Sequence, residues 1–266
     1  MRFVTITSGK GGVGKSTITA NLAYILSIYG YKVALFDADI GLANQDIILD
    51  VKPEHTILDV MKGKISFEEC VIKINNNFLL IPGESGEEIL QFSHKELLQK
   101  FYKGIEKIDD LDFLLIDTGA GIGETVRSFI DASTDTVIVT APDPLAIMDA
   151  YSMIKYTAKM REELYLVVNF AKNKKEAGTI FKKLKSVSNK HIKEPIKLQF
   201  LGHMEDSSIV EEATRARKLL AKDYASSIPA LQLGEIAKKL TNYLTKDGVH
   251  IKETPNIAVF FKRLLQ

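Results

Sequence analysis

The chain has 266 residues, enough to bury a sizeable core within one α/β domain, and its 45% hydrophobic and 26% charged residues exclude a chain dominated by disorder. A net charge of +1 supplies no global attraction to nucleic acid. No run of about 18 apolar residues predicts a membrane span, no signal-like segment precedes Phe3, and one cysteine, Cys70, makes no internal disulfide or cysteine-built metal site, which together fit a reducing cytoplasm.

The first predicted strand, Phe3–Thr7, runs directly into Gly9-Lys10-Gly11-Gly12-Val13-Gly14-Lys15-Ser16-Thr17, and a helical pattern covers 15–29. Strand, glycine-rich loop and helix in that order are the context of a P-loop. Glycines let successive N–H groups turn inward as an anion nest at the helix N-terminus. Residues 11–17 are therefore assigned to ATP or ADP, with Lys15 reaching the β- and γ-phosphates and the Ser16 hydroxyl ligating Mg²⁺.

The next strand, Lys32–Asp37, ends in Asp37-Ala38-Asp39-Ile40-Gly41-Leu42-Ala43-Asn44. Two carboxylates at a strand tip either reach the γ-phosphate and Mg²⁺ or cap a turn. Further strands are predicted at Phe78–Pro82, Asp112–Asp117, Thr136–Thr140, Leu164–Asn169 and Ile196–Gly202. Helices are predicted around 94–108, 124–131, 146–160, 174–187, 207–222 and 228–245. The strands are near-continuous apolar runs rather than alternating ones, as in strands covered on both faces. Their alternation with helices predicts a doubly wound α/β fold, a mostly parallel sheet flanked by helices on both faces. Phe113-Leu-Leu-Ile-Asp117 is an apolar strand closing on an acid, the Walker B arrangement in which Asp117 holds Mg²⁺ through water. Thr118–Gly123 is glycine-rich enough to serve as a γ-phosphate switch.

Between Lys172 and Lys197, nine lysines face two glutamates. Such a run is either a solvated helix face or a surface for nucleic acid or lipid. At the C-terminus, Ile257, Phe260, Phe261, Leu264 and Leu265 fall at i, i+3, i+4, i+7 and i+8, so a helix gathers them on one face, with Lys262 and Arg263 outside it. That pattern suits an anionic bilayer surface or a helix docked on its own core. Residues 1–250 read as the ATPase domain and 251–266 as this amphipathic helix.

The second loop lysine, Lys10, five residues before Lys15, gives the chain its resemblance to the MinD/ParA family of dimerising ATPases, also called deviant Walker A proteins. The resemblance runs from Phe3 to about Leu244 and implies a homodimer when ATP is bound. In it Lys10 crosses to the partner's phosphates, Asp39 positions the attacking water, Asp37 supports metal and loop, and Asn169 reads the adenine edge. Strand ends also carry asparagine for turn chemistry alone, so Asn169 keeps both readings. Gly202-His-Met-Glu-Asp206 departs from the family's Gly-x-Ile/Val-Pro-x-Asp beside the base. The C-terminal pattern is similar to the family's membrane-targeting helix, which implies a cytoplasmic protein peripheral on the inner membrane.

Asp37–Asn44, Asp117–Gly123 and Ala141–Lys155 look most like the FlhG/FleN subgroup, regulators of flagellar number and placement. Implied partners are an FlhF-like GTPase, flagellar switch proteins or a transcription regulator. That subgroup carries a GTPase-stimulating segment before the first strand, whereas this sequence starts at the strand, so direct stimulation of a GTPase is not expected. A MinD-type division-site ATPase is the nearest alternative. A ParA-type partition ATPase would use the 172–197 lysines on DNA, a partner the amphipathic tail argues against. An iron–sulfur carrier would need more cysteines than Cys70.

Overall fold

The structure, a computed structural model, describes residues 1–39, 42–84, 104, 105, 108 and 110–245. The eight strands are β1 Arg2–Ser8, β2 Val33–Ala38, β3 Ile72–Asn75, β4 Phe78–Ile81, β5 Phe113–Ala120, β6 Asp135–Thr140, β7 Glu163–Ala171 and β8 Lys197–Glu205. They form one sheet in the order β3-β4-β2-β5-β1-β6-β7-β8. Every pairing is parallel except β3 with β4.

All seven predicted strands are present, and the α/β expectation holds. The eighth strand, β3, was not predicted. Ile72-Lys-Ile-Asn75 is too short and too polar to stand out, and it exists because the Asn75–Asn77 turn folds it back onto the edge of β4. That turn is braced by Asn77 N–H donating to Asn75 Oδ1 and by Asn75 Nδ2 donating to Ser27 Oγ.

The described helices are α1 Lys15–Ile28, α2 Gln45–Ile48, α3 Ile57–Met61, α4 Phe67–Cys70, α5 Glu124–Ala132, α6 Pro144–Thr157, α7 Lys174–His191, α8 Ser208–Arg215, α9 Leu220–Asp223 and α10 Ile228–Thr245. The expected helix at 94–108 and the C-terminal helix at 251–266 lie largely or wholly outside the described residues. The short helices α2 to α4 had no sequence signal of helical length. The stretch 207–222 is two helices, because Arg217 takes φ 52. With Arg217 left-handed, its N–H reaches Thr214 O and the Lys218 N–H reaches Ala213 O, a Schellman ending that stops α8.

Successive side chains along each strand alternate between two apolar layers. Val4, Ile6, Leu35, Leu115 and Val139 face α1 and α10. Phe3, Phe36, Leu114 and Ile116 face α3, α4 and α5, where Phe36 meets Phe129 edge-on at 5.9 Å. Ile138, Leu166 and Val168 face α5, α6 and α7. Both faces are therefore covered, which leaves the carboxyl ends of the parallel strands as the open edge on which polar residues gather.

Candidate nucleotide site

The loop after β1 meets α1 through Gly14, whose φ of 80 is left-handed, and Gly12 has φ 77. Gly14 is required twice over, because a Cβ there would also stand 2.2 Å from Asn169 Nδ2. Gly9 is needed for close approach, since its Cβ would lie 2.4 Å from that of Asp149 on α6. No side chain caps α1 and its first turn has no acidic residue, so its free N–H groups and positive dipole end are left to an anion. These residues line a cleft of about 330 Å³ bounded by Gly11–Thr17, Asp39, Asn44 and Ala120.

Register places the two strand-tip acids side by side, Asp37 on β2 opposite Asp117 on β5. Asp117 is fully buried and every part of its carboxylate is engaged. Oδ1 accepts from Lys15 Nζ at 2.7 Å and from Thr19 Oγ1 at 3.3 Å, while Oδ2 accepts from Gln45 Nε2 at 2.7 Å. The Lys15 ammonium, 7% exposed, also lies 3.3 Å from Ser16 Oγ. The lysine, hydroxyl and acid expected to hold phosphate and Mg²⁺ therefore converge on one point. Loop nest, ammonium, hydroxyl and carboxylates form a donor set that fits Mg²⁺ and a polyphosphate.

Asp37 is as deeply buried, and its Oδ2 accepts from the backbone N–H groups of Asn44 and Gln45, both at 2.8 Å. Burial, and then the neighbouring charge of Asp117, push its carboxyl up to about 7 despite those donors. Asp37 thus fixes the start of α2. Asp39 is half-exposed at the mouth of the cleft, with its carboxyl pushed up by burial while Lys15 pulls it down.

Lys10 belongs to the glycine-rich loop, and its Nζ lies 2.9 Å from Asp143 Oδ1. Asp143 also caps α6 by accepting from Ala146 N–H, and these contacts, Lys10 first, hold its carboxyl below the usual range. Asn169 is buried, with Nδ2 donating to the Val13 carbonyl at 2.8 Å and Oδ1 accepting from Phe170 N–H. It braces the P-loop, at the wall of a neighbouring cavity of about 410 Å³ that Gly14, Thr17, Phe170, Met204 and Asp206 share. A larger cavity of about 630 Å³ lies on the far flank of α1, away from the P-loop, and is not the phosphate site.

Sequence reasoning missed Gln45, Thr19 and Asp143. Gln45 had no signal of its own, because it stands between Asn44 and Asp46, six residues after Asp39. Asp143 and Thr19 had none, since their partners lie 133 and 98 residues away.

The ParA family model, described as "NUBPL iron-transfer P-loop NTPase", matches residues 1–241. The chain is 43% identical over 266 residues to the flagellum site-determining protein YlxH of Helicobacter pylori, covering all of this chain and 90% of that one. It is 30% identical to the antiactivator FleN of Pseudomonas aeruginosa over 272 residues, covering 100% and 94%. Among solved structures, the septum site-determining protein MinD of Pyrococcus horikoshii complexed with Mg-ADP superposes with a TM-score of 0.76 at 22% identity, over 91% of this chain and 97% of that one. The chain belongs to the MinD/ParA family of P-loop NTPases, within its FlhG-like subgroup.

Proposed function

We propose that the protein is an ATP-dependent, dimerising and membrane-associating ATPase switch that regulates the number or placement of flagella. The observation that carries the nucleotide chemistry is the convergence of Lys15, Ser16 and Asp117 at the P-loop, with Asp39 lining the same cleft. The flagellar role is supported by the whole-chain likeness to YlxH and FleN.

In this reading the P-loop N–H groups and Lys15 bind the β- and γ-phosphates, and Ser16 and Asp117 hold Mg²⁺, which neutralises charge on the phosphates. Asp37 fixes the switch segment, and Asp39 orients the attacking water. Lys10 leaves Asp143 and crosses to the nucleotide of a second copy. There it offsets charge as the γ-phosphoryl group departs, which couples hydrolysis to assembly. Asn169 secures the loop that carries the phosphates and borders the space for the base.

The C-terminal residues Ile257, Phe260, Phe261, Leu264 and Leu265, with Lys262 and Arg263, supply weak attachment to anionic lipid. Two copies on one dimer strengthen it through effective concentration. No described helix is long and apolar enough to cross a membrane, so attachment is peripheral in this reading. The iron transfer named in the family model's description is not carried over. Cys70 is the one cysteine of the chain, and burial pushes its thiol up to about 12.

The test is sedimentation with anionic liposomes under ATP or ADP, using the intact chain, a chain ending at Pro255, and Asp39→Ala. Binding that needs both ATP and the tail and rises in Asp39→Ala supports the switch. Failure to sediment with ATP, together with salt-sensitive retention on DNA, overturns it in favour of partition chemistry.

A further inference from the structure

Gln45 is fully buried and touches three parts of the nucleotide site at once. Its Nε2 donates to Asp117 Oδ2 at 2.7 Å and to the Ser16 carbonyl at 3.1 Å, and its backbone N–H donates to Asp37 Oδ2 at 2.8 Å. Its remaining polar atom, Oε1, is buried and has no hydrogen-bond partner within the protein. A buried amide oxygen without a partner is costly, so its retention beside Asp117 and Ser16 asks for an explanation.

Two features limit what that partner can be. The same amide is bonded to Asp117 and to the Ser16 carbonyl, with the Lys15 ammonium beside them, so its surroundings suit a polar partner rather than an apolar group. An amide oxygen accepts hydrogen bonds and cannot donate them, so it rejects a phosphate oxygen and accepts a water proton. Water made acidic by a divalent cation is the strongest donor such a site can offer.

We infer that Gln45 is a positioning residue for Mg²⁺: its Nε2 orients Asp117 and its Oε1 accepts a hydrogen bond from a water in the metal's shell. Because the same residue opens α2, metal binding and the conformation of the segment after Asp39 are tied through one side chain. When Lys15 turns to the phosphates, Oδ1 of Asp117 loses its ammonium partner, and Gln45 still fixes Oδ2. Outer-shell partners of this kind are worth roughly 10- to 100-fold in metal affinity. The inference rests on the nucleotide reading above.

The test is the Mg²⁺ dependence of fluorescent ADP binding, titrated from EDTA upward, for the wild type, Gln45→Leu and Gln45→Met. Both variants remove the amide, and Met retains a flexible side chain that fills the space. The expected result is Mg²⁺-free ADP affinity within twofold of wild type and a Mg²⁺ half-saturation raised about tenfold in both variants. A half-saturation within twofold of wild type, or an equal loss of affinity with and without Mg²⁺, overturns the inference and leaves Gln45 a packing residue. Wild-type protein that binds no ADP at any Mg²⁺ concentration defeats the nucleotide reading itself, a result distinct from either of those.

Discussion

Lys10 and Asp143 are joined within one chain, Nζ to Oδ1 at 2.9 Å across 133 residues of sequence. A lysine proposed to act on a neighbour's phosphates is thus held at home by a half-exposed ion pair. Solvent screens an exposed pair of this kind, so this contact is weak enough for assembly to break. Asp143→Asn keeps an acceptor for the Ala146 N–H of α6 and removes the charge that holds Lys10. The variant should form its ATP-dependent dimer at up to about fivefold lower protein concentration, as read by sedimentation velocity. An unchanged or weaker dimer contradicts the competition between the two partners.

Lys15 and Asp117 form a buried pair, and removing one partner strands the other. Asp117→Ala should lower apo-protein stability by about 3–5 kcal/mol, seen in urea unfolding, and abolish the stabilisation that Mg²⁺ adds to ADP. A loss below about 1 kcal/mol would mean that Lys15 reaches solvent without Asp117.

Asp37 makes the apo protein sensitive to pH. Burial and Asp117 raise its carboxyl to about 7, above the unfolded value of 3.8. The folded state therefore binds more protons than the unfolded state between these values. Its contribution is fully present below about pH 4 and is lost as pH rises through about 7. Thermal melting of apo protein from pH 5 to 8 should show stability falling with pH, and Asp37→Asn should flatten that slope. A steeper slope in the variant contradicts the assignment.

Gly119 lies against Asp39, and a Cβ on it would stand 3.0 Å from Asp39 Oδ1. Gly119→Ala should push that carboxylate aside. ATP turnover should fall by about threefold or more while ADP affinity stays within about twofold, since the positioned carboxylate must give by a few tenths of an ångström. Equal losses in turnover and ADP binding would place the damage in the P-loop instead.

The glycine-rich loop was legible in the sequence because its backbone geometry is written in residue type, and the left-handed backbone at Gly12 and Gly14 favours glycine. Asp37, Asp39 and Asp117 were legible because an acid closing a buried apolar strand has few other reasons to be there. The contacts that organise them were not. Gln45 meets Asp117 across 72 residues and Lys10 meets Asp143 across 133, and no local pattern encodes such pairings. The break at Arg217 was equally hidden, because helical periodicity continues through a residue whose left-handed backbone ends α8. Edge strand β3 was lost because four residues carry too little alternation to be read.

Whether the γ-phosphate drives assembly is read most directly from molar mass in solution by light scattering. Asp39→Ala, which should retain ATP, would be compared with ADP, with ATP, and with ATP in a second variant that also carries Lys10→Ala. The protein should be a monomer with ADP and a dimer with ATP, and should return to monomer when Lys10 is removed. A monomer in all three conditions, or a dimer indifferent to the nucleotide and to Lys10, contradicts assembly driven by the γ-phosphate.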